Sequence, residues 1–407
     1  MAVAGALATM AATARAQFQP GPTLSGSLRL GYWSSTRDLD QRSPWGASML
    51  WLKGSTPLPD RTTVVIEGWA ALRGPPESSH GTVELREAFL TFAPKAFDLR
   101  IGRQILAWGR ADGVNPTGNL AAKDLTLLTP DDADQQLGTM TTVASYVIGG
   151  TSVTGVWMPE FRGDRFPLPS NAGSFVHEVQ EWPGDQWAVR VERTGGSADW
   201  SASVFQGLDL TPDVAPSDAS DRVTLVHHRI RAFGADAATT VGRFGLRAEA
   251  AYVQTTDRPG VDPFSKNPFL FAVVGADRTF ADGRFNVNVQ YLVRLISRFQ
   301  PAPVEESSER TALVAEEAVL SSQVKRMQHG ASMRASYKWL HETLETEWAA
   351  IAYASPRGIA VRPKITYAVS DRISTIAGAE VFRGGNGALF QLLRPNSVAY
   401  LELRWGF

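Results

Sequence analysis

Cysteine is absent from all 407 residues, which excludes a disulfide framework and any thiolate metal site. After the first sixteen residues there is no run of about 18 apolar residues, so no membrane-spanning helix is expected. An excess of one charge is missing too. Lys and Arg number 40 against 41 Asp and Glu, a balance that points to no nucleic-acid or other polyanionic partner. Catalytic signatures are equally scarce, with no G-x-S-x-G and no His-Glu-x-x-His pattern, and only 6 histidines for base chemistry. His227 and His228 are adjacent, so on a strand they point to opposite faces and cannot chelate one ion. Asp131, Asp132 and Asp134 offer the hard oxygens that calcium prefers, but without a Gly-spaced ligand pattern. No enzyme activity, metal or cofactor is therefore expected.

What is present is alternation. Met1 to Ala16 is Ala-rich and ends in the small-x-small triplet Ala14-Arg15-Ala16, which predicts a signal peptide over 1–16 and a mature chain over 17–407. From Leu24 to Trp33, Leu24, Leu28, Leu30 and Tyr32 point one way and Ser25, Ser27 and Arg29 the other. Val64, Ile66, Ala70 and Leu72 oppose Glu67, while Phe244, Leu246, Ala248, Ala250 and Tyr252 oppose Arg243, Arg247 and Glu249. Between Arg284 and Leu295, Phe285, Val287, Val289, Tyr291, Val293 and Leu295 oppose Arg284, Asn286, Asn288, Gln290 and Arg294. Period two over ten or more residues describes strands longer than the five or six residues usual in soluble sheets, and no second apolar face exists for a sandwich to pack on. The chain's 12 Trp fit the aromatic girdles of a membrane barrel.

Connections alternate in length. Short turns are expected near Pro57 to Asp60, Pro94 to Ala96, Gly149-Gly150, Gly195-Gly196, Gly234 to Ala237, Asp282-Gly283, His341 to Thr343 and Ser370-Asp371. Polar Pro/Gly-rich loops separate them at 35–44, 74–81, 108–137, 161–184, 210–221, 257–267, 301–322, 355–358 and 384–395. The pattern predicts an all-β fold: a transmembrane up-and-down antiparallel β-barrel of about 18 strands with short periplasmic turns and long extracellular loops.

The last strand, Ala399 to Phe407, alternates Leu401, Leu403, Trp405 and Phe407 with Tyr400, Glu402 and Arg404. It resembles the closing strand of bacterial outer-membrane barrels. That likeness implies that Leu403, Trp405 and Phe407 carry the signal read by the barrel-assembly machinery, and that the protein sits in outer-membrane lipid of a Gram-negative bacterium. A second resemblance lies in Leu85-Arg86-Glu87-Ala88-Phe89-Leu90, Leu99-Arg100-Ile101-Gly102-Arg103-Gln104, Trp108-Gly109-Arg110 and Asn115-Pro116. This hairpin and loop are similar to those of outer-membrane porins of the alginate-export type and a related porin-like group.

The loop from Trp108 to Leu137 is too long for a plain hairpin connection. It is the third outer loop, the one that in porin-like barrels folds inward. Arg110, Asp112, Asn115, Asp124, Asp131, Asp132 and Asp134 are then its constriction residues, with the acids facing a basic wall; the competing reading is a solvated external loop. Lumen-side cations are expected at Arg29, Arg190, Arg229, Arg231, Arg243, Arg247, Arg284, Arg294, Arg298, Arg334, Lys338, Arg362, Lys364 and Arg404. Half as many acids share that face: Glu67, Glu192, Glu249, Glu345, Glu347, Glu380 and Glu402. Arg284, Arg294 and Arg298 fall on one face of one strand, as a ladder along the pore. Such a lumen would select small anionic or saccharide-like solutes; alternatively these charges pair across neighbouring strands and cancel. The expected function is passage of solute through an outer-membrane channel, with an outer-membrane enzyme in a plugged barrel or a non-conducting structural component as competitors. The sequence does not choose between monomer and homo-oligomer.

Overall fold

A computed structural model describes residues 21–37, 43–74, 79–167, 175–179, 185–216, 223–301 and 309–407. The predicted signal peptide lies outside those residues, as do parts of the outer loops placed at 35–44, 74–81, 161–184, 210–221 and 301–322.

In chain order the strands begin β1 (Thr23–Trp33), β2 (Trp45–Leu58), β3 (Thr62–Arg73), β4 (His80–Phe92), β5 (Phe97–Gln104), β6 (Thr139–Ile148) and β7 (Thr151–Met158). They continue with β8 (Phe175–Val179), β9 (Gln186–Arg193), β10 (Asp199–Leu208), β11 (Asp213–Pro216), β12 (Val223–His227), β13 (Arg229–Val241) and β14 (Phe244–Gln254). The last are β15 (Phe269–Phe280), β16 (Phe285–Ile296), β17 (Met327–Trp339), β18 (Leu344–Ala354), β19 (Arg357–Ala368), β20 (Ile373–Gly384) and β21 (Val398–Gly406). A helix, α1 (Glu309–Leu320), precedes β17. Of these strands 18 form one antiparallel sheet, and β8, β11 and β12 form a small separate one among the outer loops.

The large sheet closes because β21 pairs with β1, with Leu30 opposite Leu403, Arg29 opposite Arg404 and Leu28 opposite Trp405. Gly26 and Phe407 exchange two backbone hydrogen bonds at 2.9 and 3.0 Å, so the final residue is tied into the seam. Closure leaves no unpaired edge, the condition for a sheet to sit in lipid. Leu28, Leu30, Ile66, Leu72, Val274, Val289, Ile365, Leu401 and Leu403 are exposed on the outer surface. Their alternating partners, such as Arg29, Glu67, Glu249 and Gln290, are buried inside. Phe92, Trp200, Phe244, Phe280, Trp339 and Trp405 ring the short-turn end, and Tyr32, Trp157, Trp187 and Tyr252 the other. An apolar belt between aromatic girdles is the exterior of a membrane-spanning barrel. No described helix is long and apolar enough to cross a membrane.

Short turns obey local geometry. Gly149 and Gly150, at φ 53 and 81, make the two-residue hairpin between β6 and β7, whose tight turn demands positive φ at both positions. Two expectations need correction. Gly234 to Ala237 lie in the middle of β13, and the turn falls at Gly242-Arg243. The small residue there makes room inside the barrel, because a Cβ on Gly234 would meet the side chain of Thr117 at 2.5 Å. The connection expected as an outer loop at 355–358 is only Ser355-Pro356 between β18 and β19.

Candidate functional site

The third outer loop, 105–138, runs inside the barrel and is fastened at both ends. The bulge between Glu67 and Gly68 in the β3–β4 pairing leaves Arg86 without a cross-strand partner, which turns its side chain inward. There it pairs with Glu67 and donates to the loop carbonyls of Ala133 at 2.6 Å and Gln136 at 3.2 Å. Glu67 and Glu87 stand directly opposite each other, an unfavourable like-charge pair. Arg86 and Lys53, the latter 2.6 Å from Glu67 and 3.7 Å from Glu87, compensate it. Arg103 holds the loop's exit by donating to Gly138 O at 3.0 Å.

One wall of the lumen is acidic where the loop enters. Arg110 lies 2.5 Å from Asp236 on β13 and 2.6 Å from Glu192 on β9. Its backbone N–H and that of Ala111 donate to Glu249 on β14, as do the N–H and hydroxyl of Thr117, all within 2.9 Å. Gly109, at φ +105, makes this approach possible: a Cβ would meet the Glu249 carboxylate at 2.6 Å. Trp108, Leu106 and Leu120 pack on an apolar patch of the inner wall formed by Val143, Met158, Phe205, Ile230, Val253 and Ile296.

The far end of the loop meets the opposite, basic wall. Asp134 pairs with Arg29 at 2.5 Å, Asp131 with Arg404 at 3.0 Å and Lys364 at 3.4 Å, and Asp132 with Arg362 and, at 3.7 Å, Arg334. Arg29 and Arg404 face each other across the closing seam, so the loop carboxylates offset repulsion there. Glu347, Glu380 and Glu402 share the same cations from within the wall. Arg37 reaches in from the first outer loop, pairing with Glu380 at 2.6 Å and donating to Leu127 O at 3.1 Å. Leu127 and Leu128 then fill the spaces beside Trp51 and Trp69 and beside Trp33 and Tyr400.

Exposure separates these contacts. The Arg29 and Asp134 side chains are about a tenth exposed, whereas Arg334 is 33%, Asp112 32% and Asp132 42% exposed. Arg334 and Asp112 lie 3.2 Å apart. Water therefore reaches the ring formed by Asp112, Asp132, Arg334 and Arg362, and the neighbouring Asp131, while the Arg29–Asp134 pair is sealed.

The structure places Arg29, Glu67, Arg190, Glu192, Arg247, Glu249, Arg294, Arg334, Lys338, Arg362, Lys364 and Arg404 on the lumen face. Five expected lumen cations are elsewhere. Arg231 points outward with Phe233, since Ile230, Ala232 and Asp236 are the buried set of β13; Arg229 shares its parity. Arg243 and Arg284 sit exposed in periplasmic turns, and Arg298, at φ 52, in an outer turn just past β16. The ladder of Arg284, Arg294 and Arg298 therefore does not form. Only Arg294 faces in, stacked 3.7 Å over the Phe269 ring. Within the loop, Asn115 is exposed, and Asp124 binds Arg165 of the next loop at 3.2 Å and not the wall. Asp236, Asp277, Arg86 and Arg37 were not anticipated in the lumen. The parity that Asp236 shares with Ile230 and Ala232, opposite Phe233, could have revealed the first of them.

Above the barrel a second charged cluster gathers three outer loops. Lys266 is buried 2.6 Å from Asp213 and 3.1 Å from Asp209, His228 Nδ1 lies 2.7 Å from Asp213, and Glu317 of α1 accepts from Val214 N–H and the Ser321 hydroxyl. Burial alone would raise Asp213, but Lys266 and the hydrogen bonds from His228 and Lys266 hold it down to about 2. Burial, with Asp213 alongside, pushes Glu317 well above the usual range. Asp213 then stabilises the cluster above its ordinary value of 3.8, a contribution lost as pH falls toward about 2. Glu317 stabilises it below 4.5 and ceases to as pH rises through its raised value. Hydrogen exchange over 213–216 and 309–320, corrected for intrinsic rates, should therefore be slowest near pH 4 and faster at pH 8. Glu317→Gln should abolish the rise on the alkaline side; a variant that keeps it would locate the titration elsewhere.

No family model matches the chain, and no curated protein sequence matches it. Solved structures do. The outer-membrane protein OpdK of Pseudomonas aeruginosa superposes with a TM-score of 0.55 at 10% identity, over 96% of this chain and 100% of that one. OccAB4 of Acinetobacter baumannii gives 0.55 at 9% identity, over 96% and 99%. The fold is that of the outer-membrane porins. OccK5 (OpdH) of Pseudomonas aeruginosa agrees, at 0.54 and 10% identity over 96% and 98%. Identities this low convey architecture alone.

Proposed function

We propose that this barrel is a channel in the outer membrane of a Gram-negative bacterium, passing small anionic or saccharide-like solutes, with loop 105–138 as its constriction. The observation that carries the reading is the water-exposed ring in which Asp112 and Asp132 on the loop oppose Arg334 and Arg362 on the wall. Water-exposed ion pairs lining a narrow, low-dielectric passage act on polar solutes and ions that move past them, orienting the former and discriminating among the latter. OpdK is known in a structure with vanillate, a carboxylate. A carboxylate here would find the guanidinium forks of Arg334 and Arg362, which suit bidentate binding. The resemblance of Arg86, Arg103 and Trp108-Gly109-Arg110 to alginate-export-type porins makes a uronate-bearing saccharide one such solute; in this barrel the same residues hold the loop in place.

A non-conducting, plugged barrel is the competing reading, favoured by the fastening of the loop to both walls. Planar-bilayer recording separates the two: unitary steps are expected, and a folded protein that never conducts would remove the channel reading. Since each ring cation already has a carboxylate partner, anion preference should be modest and should weaken at 1 M salt, where the Debye length is about 3 Å. Arg334→Gln with Arg362→Gln should move the reversal potential toward the cation side in asymmetric salt. Arg284→Gln with Arg298→Gln should barely change it. A cation-selective wild type, or no shift from the first pair, would show that the ring does not set selectivity.

A further inference from the structure

On the outer surface Arg278 projects from β15, two residues before the strand ends at the periplasmic rim. Its neighbour Asp277 points into the lumen and pairs with Arg247, so strand alternation sends Arg278 outward. The guanidinium is bracketed by two rings, 4.4 Å from the Phe280 centroid and 4.8 Å from that of Phe244. Its Nε is buried without a protein hydrogen-bond partner, and no carboxylate among the described residues lies within ion-pair distance of the guanidinium. The aromatic surface continues sideways: Phe280 to Phe285 at 5.8 Å, Phe285 to Tyr337 at 6.0 Å, Tyr337 to Trp339 at 4.2 Å. The adjoining turn carries Asp282 and Arg284, both exposed, and so adds no net charge.

An outward-facing arginine in a barrel wall is costly in hydrocarbon but nearly free at the interface. Two residues from the strand end is about 7 Å, which sets Arg278 at headgroup depth. Cation–π contact supports the charge but leaves the two terminal amino groups of the guanidinium without a protein acceptor among the described residues. The ligand that belongs at this depth, carries the opposite charge, accepts two parallel hydrogen bonds and covers an aromatic shelf with its chains is a phospholipid. We infer that Arg278, with the Phe244–Phe280 bracket and the Phe285–Tyr337–Trp339 shelf, forms a specific site for an inner-leaflet glycerophospholipid, its phosphodiester on the guanidinium and its glycerol and first acyl carbons against the shelf. The inference rests on the membrane placement of the barrel and not on conduction.

The test is native mass spectrometry of the folded full-length protein released from detergent in the presence of phosphatidylglycerol, diacylglycerol or inorganic phosphate. Wild type should retain one phosphatidylglycerol preferentially over diacylglycerol of the same chains, and millimolar phosphate should not displace it. Arg278→Gln, checked for heat-modifiable folding, should bind about tenfold more weakly, the loss of one charge-assisted bidentate contact. Its single-channel conductance should be unchanged. Equal retention of phosphatidylglycerol and diacylglycerol by wild type, a comparison that needs no variant, would mean the shelf holds only annular lipid and would overturn the proposal. So would unchanged affinity in the variant, or displacement by phosphate, which would make the site one for free anions.

Discussion

Removing Asn115 to Asp134 should raise conductance by about twofold or more, because flow through a constricted pore is set by its narrowest section, and should strengthen anion selectivity at the same time. The second effect comes from the pairing. The excision takes away Asp131, Asp132 and Asp134, leaving Arg29, Arg362, Lys364 and Arg404 with only Glu347, Glu380 and Glu402 as partners. Uncompensated cations on a low-dielectric wall concentrate anions. The barrel itself should still fold and remain heat-modifiable, since its strand ladder does not pass through the loop. A milder version replaces the three aspartates by Asn, which frees that end of the loop without shortening it. Opening with little added selectivity would show that the wall glutamates already suffice. Unchanged conductance and size cutoff in the excision would mean that solute does not pass beside the loop at all.

Loss of Phe407 should cut the yield of folded barrel by about an order of magnitude, because a barrel with an unsealed seam exposes strand edges that lipid cannot hydrogen-bond. Phe407 contributes twice. Its backbone exchanges two hydrogen bonds with Gly26 at the end of the β1–β21 seam. Its ring lies outward, 5.4 Å from that of Trp405, and against Gly26, where a Cβ would meet the Phe407 ring at 2.7 Å. Phe407→Ala keeps the backbone bonds and removes the ring, so comparing it with the deletion separates seam closure from recognition of the aromatic residue. Precursor accumulating in the periplasm for both changes would point to recognition. Loss for the deletion alone would point to the seam, and wild-type yield for both would show that neither matters.

The stretch from Leu85 to Pro116 stands out in the sequence, and its geometry explains why. Arg86 and Arg103 clamp the far end of the third loop, and Trp108, Gly109 and Arg110 dock its entry on the acidic wall. A loop with a basic entry and an acidic far end can lie across the lumen in one direction only. Reversing it would set Arg110 against Arg29 and Arg404, and Asp131 to Asp134 against Asp236 and Glu249. Charge thus specifies the loop's orientation, while Leu127 and Leu128 supply apolar anchorage at its far end.

Period-two alternation, the long third loop and the apolar closing strand were legible in the sequence by itself, because each is a local property: a strand half in lipid must alternate, and a closing strand must match the first. From these followed the barrel, its strand number and the lumen face of strands such as β1, β14 and β19. Three things were decided only in the tertiary structure. Strand ends were one, since Arg243, Arg284 and Arg298 continue the alternation on paper but fall in turns, where backbone hydrogen bonding to the neighbour stops. Phase was another: the break before β13 resets its parity, so Arg229 and Arg231 face out and Asp236 faces in, and the bulge at Glu67 turns Arg86 inward. The third was pairing. Arg362 and Asp132, or Arg110 and Glu249, are far apart in the chain and meet only because closure of the sheet brings opposite walls around one inward loop. Charge composition counts arginines, but whether an arginine attracts solute depends on which carboxylate the closed barrel sets beside it.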